Sequence, residues 1–173
     1  FPELETVRSL ETMAERLPAV VYAKGRAAEF TWKTTARVFQ YCANRIGEIC
    51  DDPMPIDDGM KWGFGWELGP FEMWDALGFR KVAERMQAEG LGLPAWVGTM
   101  LERDAPGFYR LEHGRLSVWN PDAGDYRELP EDPGRLNLVH LKTAEREIKH
   151  NAGASLVDLG EGVGAPGLDH RPQ

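Results

Sequence analysis

The sequence predicts a mainly α fold with a small antiparallel β-meander appended, and three observations carry that prediction. An apolar stripe of helical period runs from Phe30 to Ile49. Prolines at 55, 70 and 94 stand where short helices begin. After Gly107 the apolar residues alternate instead, with turn residues between the runs.

The elements follow in order. Residues 1–10 are mixed, and residues 11–17 read as a short helix capped near Ser9. Pro18 is expected to start a new turn, because it lacks an amide donor. Gly25 opens the longest helix, with Phe30, Trp32, Ala36, Phe39, Ala43, Ile46 and Ile49 on one stripe and Asp51, Asp52 and Pro53 ending it. Residues 55–63 and 70–77 form two further short helices. Residues 79–89 continue with Val82, Ala83 and Met86 on one face, and Gly90 and Gly92 stop them. Pro94 opens a helix whose stripe is Trp96, Val97, Met100 and Leu101.

From Gly107 the reading changes to strand, turn, strand, turn, strand, with turns at His113-Gly114 and between Asn120 and Gly124. Residues 130–134 read as a loop, 136–141 as an extended piece, 143–150 as a short helix and 154–159 as a strand. The tail, 164–173, is Gly, Pro and charge, and is expected to be disordered. The chain thus divides into a helical domain over 1–106, a meander over 107–130 packed on it, a linker with one strand over 131–163, and the tail.

Composition narrows the function. An apolar fraction of 42% and a charged fraction of 28% are those of a globular chain. A formal charge of -8 disfavours nucleic acid, which needs a basic stripe to meet phosphate. No apolar run is long enough to cross a bilayer and there is no signal peptide, so a cytoplasmic location is expected. Cys42 and Cys50, eight residues apart in one helical pattern, would stand roughly 12 Å apart. That is too far for a disulfide, and both are read as reduced. Beginning at Phe1 without a methionine, the chain reads as a piece of a longer polypeptide.

The densest stretch lies between Asp57 and Gly78, where Trp62, Phe64, Trp66, Phe71 and Trp74 alternate with Gly63, Gly65, Gly69 and Pro70. It reads as two short helices meeting at a glycine-proline corner that the rings pin down. The rings are either core packing or, for Trp62, Trp66 and Phe71, the wall of an apolar pocket for an acyl chain or a partner helix.

Other candidates are weaker. Gly160, Gly162 and Ala165 match a dinucleotide fingerprint after a strand. Only eight residues follow, two of them prolines, so neither the receiving helix nor the ribose-binding acid has room. Asp51, Asp52, Asp57 and Asp58 fit no calcium loop, and carboxylates at helix ends need no metal to explain them. His113, His140, His150 and His170 are scattered, without ligands at metal spacing. No nucleophile elbow occurs. Catalytic, cofactor and metal residues are therefore expected to be none.

The residues carry one resemblance. Met60-Lys61-Trp62-Gly63-Phe64-Gly65, then Gly69-Pro70-Phe71-Glu72 with Asp75 and Gly78, resembles the helical C-terminal domain of 3-hydroxyacyl-CoA dehydrogenases. Asn44-Arg45-Ile46 upstream and Gly107-Phe108-Tyr109 downstream resemble that family's flanking motifs in the same order. The wording is most similar to the second copy of the domain in long bacterial enzymes that carry two. The run from Asn151 to Gly160 resembles the linker and first strand of an enoyl-CoA hydratase (crotonase-like) domain.

The resemblance implies a parent enzyme of fatty-acid β-oxidation that oxidises 3-hydroxyacyl-CoA with NAD and carries hydratase chemistry besides. It places the His-Glu catalytic pair and the NAD loop in a Rossmann domain that is not in this sequence. This piece is then expected to be an inactive packing and pseudo-dimerisation domain. Its partners would be the Rossmann domain, the first helical copy and the hydratase domain, with acyl-CoA within reach. The residues expected at that packing surface or near substrate are Asn44, Trp62, Trp66, Gly69, Pro70, Phe71 and Asp75. An alternative is a stand-alone module that binds a protein or peptide through the aromatic corner. A third reading is an acyl-CoA-binding domain in its own right.

Overall fold

The computed structural model describes residues 2–130, 137–151 and 153–168. Among them the chain forms a 3-10 turn, seven helices and two three-stranded antiparallel sheets. The helices are α1 (Met13–Val21), α2 (Arg26–Ala43), α3 (Met54–Phe64), α4 (Pro70–Leu77), α5 (Phe79–Ala88), α6 (Ala95–Glu102) and α7 (Leu138–Thr143). The sheets run β1-β2-β3 (Tyr109–Glu112, Arg115–Asn120, Asp125–Glu128) and β4-β5-β6 (Glu147–His150, Ala154–Gly160, Val163–Leu168). The chain divides into two compact units, Phe1–Tyr109 with Val118–Tyr126, and Arg110–Ser117 with Arg127–Gln173.

The helical unit is built on aromatic packing. Trp32, Phe39, Phe71, Trp74, Phe79 and Phe108 are all removed from solvent. Phe39 stacks on Trp74 at 5.2 Å, while Phe71, Trp74, Phe79 and Trp96 all meet the ring of Phe108 at 4.8 to 5.8 Å. Edge-to-face contacts of this kind add stability beyond the area they bury. Phe108 is the hub of the unit, although it lies outside every helix.

Several elements differ from the sequence expectation. The cap of α1 is Thr12, whose hydroxyl accepts from the Glu15 amide at 3.3 Å while Glu15 accepts from the Thr12 amide at 3.2 Å. Pro18 lies inside α1 rather than starting a new turn. One amide bond is lost there, but the Pro18 carbonyl still accepts from Tyr22 at 3.0 Å, and buried Leu17 and Val21 hold the helix. Helix α2 ends at Ala43, not at Asp51, because Gly47 turns the backbone at φ 85° and Ile46 bridges to Cys50. Ile49 is consequently exposed, Phe30 is exposed because it lies off the buried face of α2, and Cys42 and Cys50 do not share a helix.

The second unit also departs from expectation. The extended piece expected over 136–141 is helix α7 from Leu138, capped by Asn137, whose side chain accepts from the Val139 amide at 3.0 Å. The helix expected over 143–150 gives way to strand β4, which pairs with β5. The expected disordered tail begins as strand β6, paired antiparallel to β5 from Val163 to Leu168. Gly160, Glu161 and Gly162 all adopt positive φ, so the chain reverses tightly and supplies β5 with a partner. The expected loop beyond Pro130 and the last five tail residues lie outside the described residues. His113 and Gly114, both at positive φ, form the turn between β1 and β2 as expected. The division between the units runs through the first sheet, and Phe108 and Trp119 belong to the helical core.

Candidate functional site

The corner between α3 and α4 is closed by a carboxylate. Gly69 is the N-cap of α4 and has no side chain with which to cap it. Asp57, from the first turn of α3, does so instead: its two oxygens accept from the amides of Phe71 at 2.8 Å and Glu72 at 3.1 Å. These are the amides that a capping residue at position 69 would serve, and the positive helix end favours a carboxylate there. A Cβ at Gly69 would collide with the Cα and Cβ of Asp57, so glycine is what lets α3 come this close. Pro70 sits at the first helical position, where no amide is needed. Glu72 reaches back to the Gly69 amide at 2.8 Å and takes Lys61 at 2.7 Å; Lys61 also pairs with Asp58 at 3.2 Å.

A second carboxylate repeats the device. Asp75 accepts from the amides of Phe108 at 2.9 Å and Tyr109 at 3.0 Å. Gly107 permits this approach, since a Cβ there would stand 2.6 Å from Asp75 Oδ1. Tyr109 closes the circuit by donating its hydroxyl to Asp57 Oδ2 at 2.8 Å. Tyr126 donates to the Gly107 carbonyl at 2.5 Å, and the Trp119 amide donates to the Phe108 carbonyl at 2.8 Å. The half-buried Asp75 thus holds the backbone of the aromatic hub, and the buried Asp57 ties the start of α4 to the Tyr109 side chain beside it.

Burial governs the protonation of the pair. Loss of solvent pushes Asp57 up to about 7, against the pull of the Phe71 amide and the Tyr109 hydroxyl. The same desolvation pushes Asp75 up to about 7, opposed by the Phe108 and Tyr109 amides and reinforced by the charges of Asp57 and Glu72. Tyr109 is raised by burial and by the Asp57 charge beside it, so it stays a donor. Asp57 is fully buried, so its carboxyl is a structural element rather than a group presented to substrate.

The residues expected at the packing surface separate into two groups. Gly69, Pro70, Phe71 and Asp75 lie in the buried circuit. Trp62 is 82% exposed and Trp66 36%, with Phe64 between them at 74%. Gly65 is left-handed at the end of α3, with its amide on Lys61 and the Trp66 amide on Met60, which turns these rings away from the core. Asn44 stands apart as the C-cap of α2, donating to the carbonyls of Gln40 at 2.8 Å and Gly92 at 3.3 Å. Asp57, Gly107 and Tyr109 were not expected at the site. The available signal was a helix start at Gly69-Pro70 with no capping side chain of its own, which calls for a cap from elsewhere.

The remaining sequence candidates form no second centre. Gly160 to Ala165 is a hairpin between antiparallel strands, with no helix N-terminus to receive a pyrophosphate, so the residues do not fit NAD. Asp52, just ahead of α3, accepts from the Met54 amide at 3.1 Å, and His150 pairs with Glu147 at 2.5 Å. Among the described residues no three His, Cys, Asp or Glu side chains cluster as metal ligands would. Cys42 and Cys50 are both free thiols, and burial, helped by the Asp57 charge, pushes Cys42 up to about 11. No helix is long and apolar enough to cross a membrane among the described residues.

No family model matches the chain, and no solved structure matches it at a significant level. The chain is similar to a probable 3-hydroxyacyl-CoA dehydrogenase of Bacillus subtilis (strain 168), with 41% identity over 162 residues. The alignment takes in 94% of this chain but only 20% of that protein, so the chain spans about one fifth of its relative's length. The similarity supports a domain of such an enzyme.

Proposed function

We propose that this chain is a non-catalytic packing domain of an NAD-dependent 3-hydroxyacyl-CoA dehydrogenase of β-oxidation. In this reading it is the second copy of the helical C-terminal domain, running into the start of an enoyl-CoA hydratase-like domain, in the cytoplasm. The observation that carries the packing role is the outward placement of Trp62, Phe64 and Trp66 at the end of α3, beside a corner whose other rings are fully buried. Covering one large ring contributes roughly 1.5–3 kcal/mol, so three suffice to hold a neighbouring domain. NAD and the hydride chemistry then belong to other parts of the parent enzyme, and acyl-CoA meets this domain only at the edge of its cleft.

Two measurements test the proposal. The 173-residue chain should not oxidise NADH in the presence of acetoacetyl-CoA; measurable turnover would overturn it. The polypeptide encoded upstream of Phe1, offered in solution, should be captured by this chain and lost when Trp62 and Phe64 are changed to serine. The same exposed rings favour a second reading, a stand-alone module for a protein or peptide partner, and indifference to the upstream polypeptide would select it. Titrating a medium-chain acyl-CoA against tryptophan fluorescence examines the third reading, acyl-CoA binding by this domain itself; a flat signal excludes it.

A further inference from the structure

The outward face of α2 differs from the rest of this acidic chain. Arg26, Phe30, Lys33, Arg37 and Tyr41 are all exposed, and at about 3.6 residues per turn they fall within roughly 80° of the helix circumference. The opposite face carries the buried Ala28, Trp32, Ala36 and Phe39. Phe30 and Tyr41 stand 70% and 67% in solvent. Lys33 is already taken by Glu29 at 2.6 Å. Arg26 and Arg37, by contrast, have no carboxylate within ion-pair distance among the described residues. They are about three helical turns apart, so they share one side of α2 at a spacing of roughly 16 Å along the axis.

Two unpaired guanidiniums with exposed rings alongside select a partner that carries discrete carboxylates and apolar residues between them. In physiological salt the Debye length is about 8 Å, so each guanidinium has to be met by its own carboxylate. Nucleic acid carries a charge about every 1.7 Å and calls for a continuous basic stripe. An extended anionic surface is repelled by a chain of charge -8. A second copy docked through the same face would set guanidinium against guanidinium. Beside the stripe opens a cleft lined by Phe30, Thr34, Ala36, Arg37 and Leu91 among others, which offers a seat to an apolar side chain. Glu89, also at that cleft, does not oppose an acidic partner, because its carboxylate accepts from Trp32 Nε1 at 2.7 Å and Arg85 Nε at 3.0 Å.

We propose that this face of α2 docks an acidic amphipathic helix of a partner protein, with carboxylates at Arg26 and Arg37 and apolar side chains over Phe30 and Tyr41. A helix repeats the required spacing. Its side chains about three turns apart return to one side, as they do on α2, and those at steps of three and four fill the interval. An extended strand would cover roughly 16 Å in about five residues, an odd step that turns its second carboxylate to the far side. Each guanidinium can hold a carboxylate through two parallel bonds, which fixes the register of the docked helix. The inference stands on the helical unit alone, uses none of the rings at the end of α3, and does not need the dehydrogenase reading.

The test is titration of the full 173-residue chain with a synthetic model helix of about eighteen residues, followed by amide shifts. The peptide carries leucines on one face, bracketed by two glutamates about three turns apart. Shifts should cluster between Arg26 and Tyr41, and replacing both glutamates by glutamine should weaken binding about tenfold or more. Arg26→Glu combined with Arg37→Glu, both at exposed positions, should abolish binding of the glutamate peptide and admit its lysine counterpart, with the helical circular-dichroism signal unchanged. Phe30→Ser should weaken binding about fivefold or more. Glu29→Gln with Lys33→Gln removes an ion pair closed within the chain and should change binding by less than about threefold. No binding at millimolar peptide overturns the proposal, as does equal binding of the glutamine peptide. Shifts confined to Trp62, Phe64 and Trp66 overturn it too, and so do phosphatidylglycerol vesicles held through Arg26 and Arg37 while the peptide is not.

Discussion

The carboxylate of Asp57 occupies the space that a side chain at Gly69 would fill, and it performs the capping that such a side chain would have performed. The two positions are therefore coupled through volume as well as hydrogen bonding. Gly69 has an ordinary φ of -74°, so alanine there meets no backbone strain and its whole cost is collision. Gly69→Ala should destabilise the chain by about 1–3 kcal/mol, the usual range for overpacking. Gly63→Ala, in a helix with open space at its Cβ, should be neutral or stabilise by about 0.5–1 kcal/mol. Urea denaturation of the two variants checks the contrast; equal effects would refute the steric account.

Removing the cap itself should be as costly. Asp57→Asn keeps the size but turns a donor toward the Glu72 amide and the Tyr109 hydroxyl, and should cost about 1–3 kcal/mol. Tyr109→Phe, which removes one hydrogen bond, should cost about 1 kcal/mol. Because both changes touch one bond, their costs should not add in the double variant.

Stability should fall as pH rises through neutrality. The folded-state values of Asp57 and Asp75 are raised to about 7 by burial, above the unfolded value. Between those values the native state holds more protons than the unfolded one, so the slope of stability against pH is negative. Unfolding free energy should thus be greater at pH 5 than at pH 8, by on the order of 1–3 kcal/mol. Asp57→Asn should flatten the profile. A profile that rises over the same range would contradict the assignment.

The rings at the corner should fall into two classes by stability. Trp74→Ala and Phe71→Ala empty the core and should cost about 3–5 kcal/mol. Trp62→Ser and Phe64→Ser should change stability by less than about 0.5 kcal/mol, as surface substitutions do. Thermal melts of the four variants decide it, and a large loss at Trp62 would place that ring in the core.

Cys42 should resist thiol reagents in the native state. Burial and the Asp57 charge raise its thiol to about 11, and the thiolate is the reactive form. An aromatic disulfide reagent at pH 8 should label at most one cysteine, Cys50, before unfolding and both after it. Rapid labelling of two would show the end of α2 to be open.

Much of the helical unit was legible in the chain. Pro70 at a first helical position and Gly65 at a helix end are local signals, and α4 runs from Pro70 to Leu77 as the spacing predicts. The second unit was less legible. Residues 147–150 and 163–168 pair with a strand that lies between them in sequence, and strand formation depends on that partner rather than on local period. Phe30 and Ile49 continued the apolar pattern of α2 yet lie in solvent, because the helix stops at Ala43 and only one face of it meets the core.

What the sequence determined by itself is local: where helices begin, which residues are large and apolar, and that Gly69-Pro70 opens a helix without a cap of its own. Only the tertiary structure decided the rest. It put Phe71 and Trp74 inside and Trp62, Phe64 and Trp66 outside, and it brought Asp57 and Tyr109 together across 52 positions of chain. Burial and long-range hydrogen bonding are properties of two surfaces at once, and a chain read residue by residue presents only one of them.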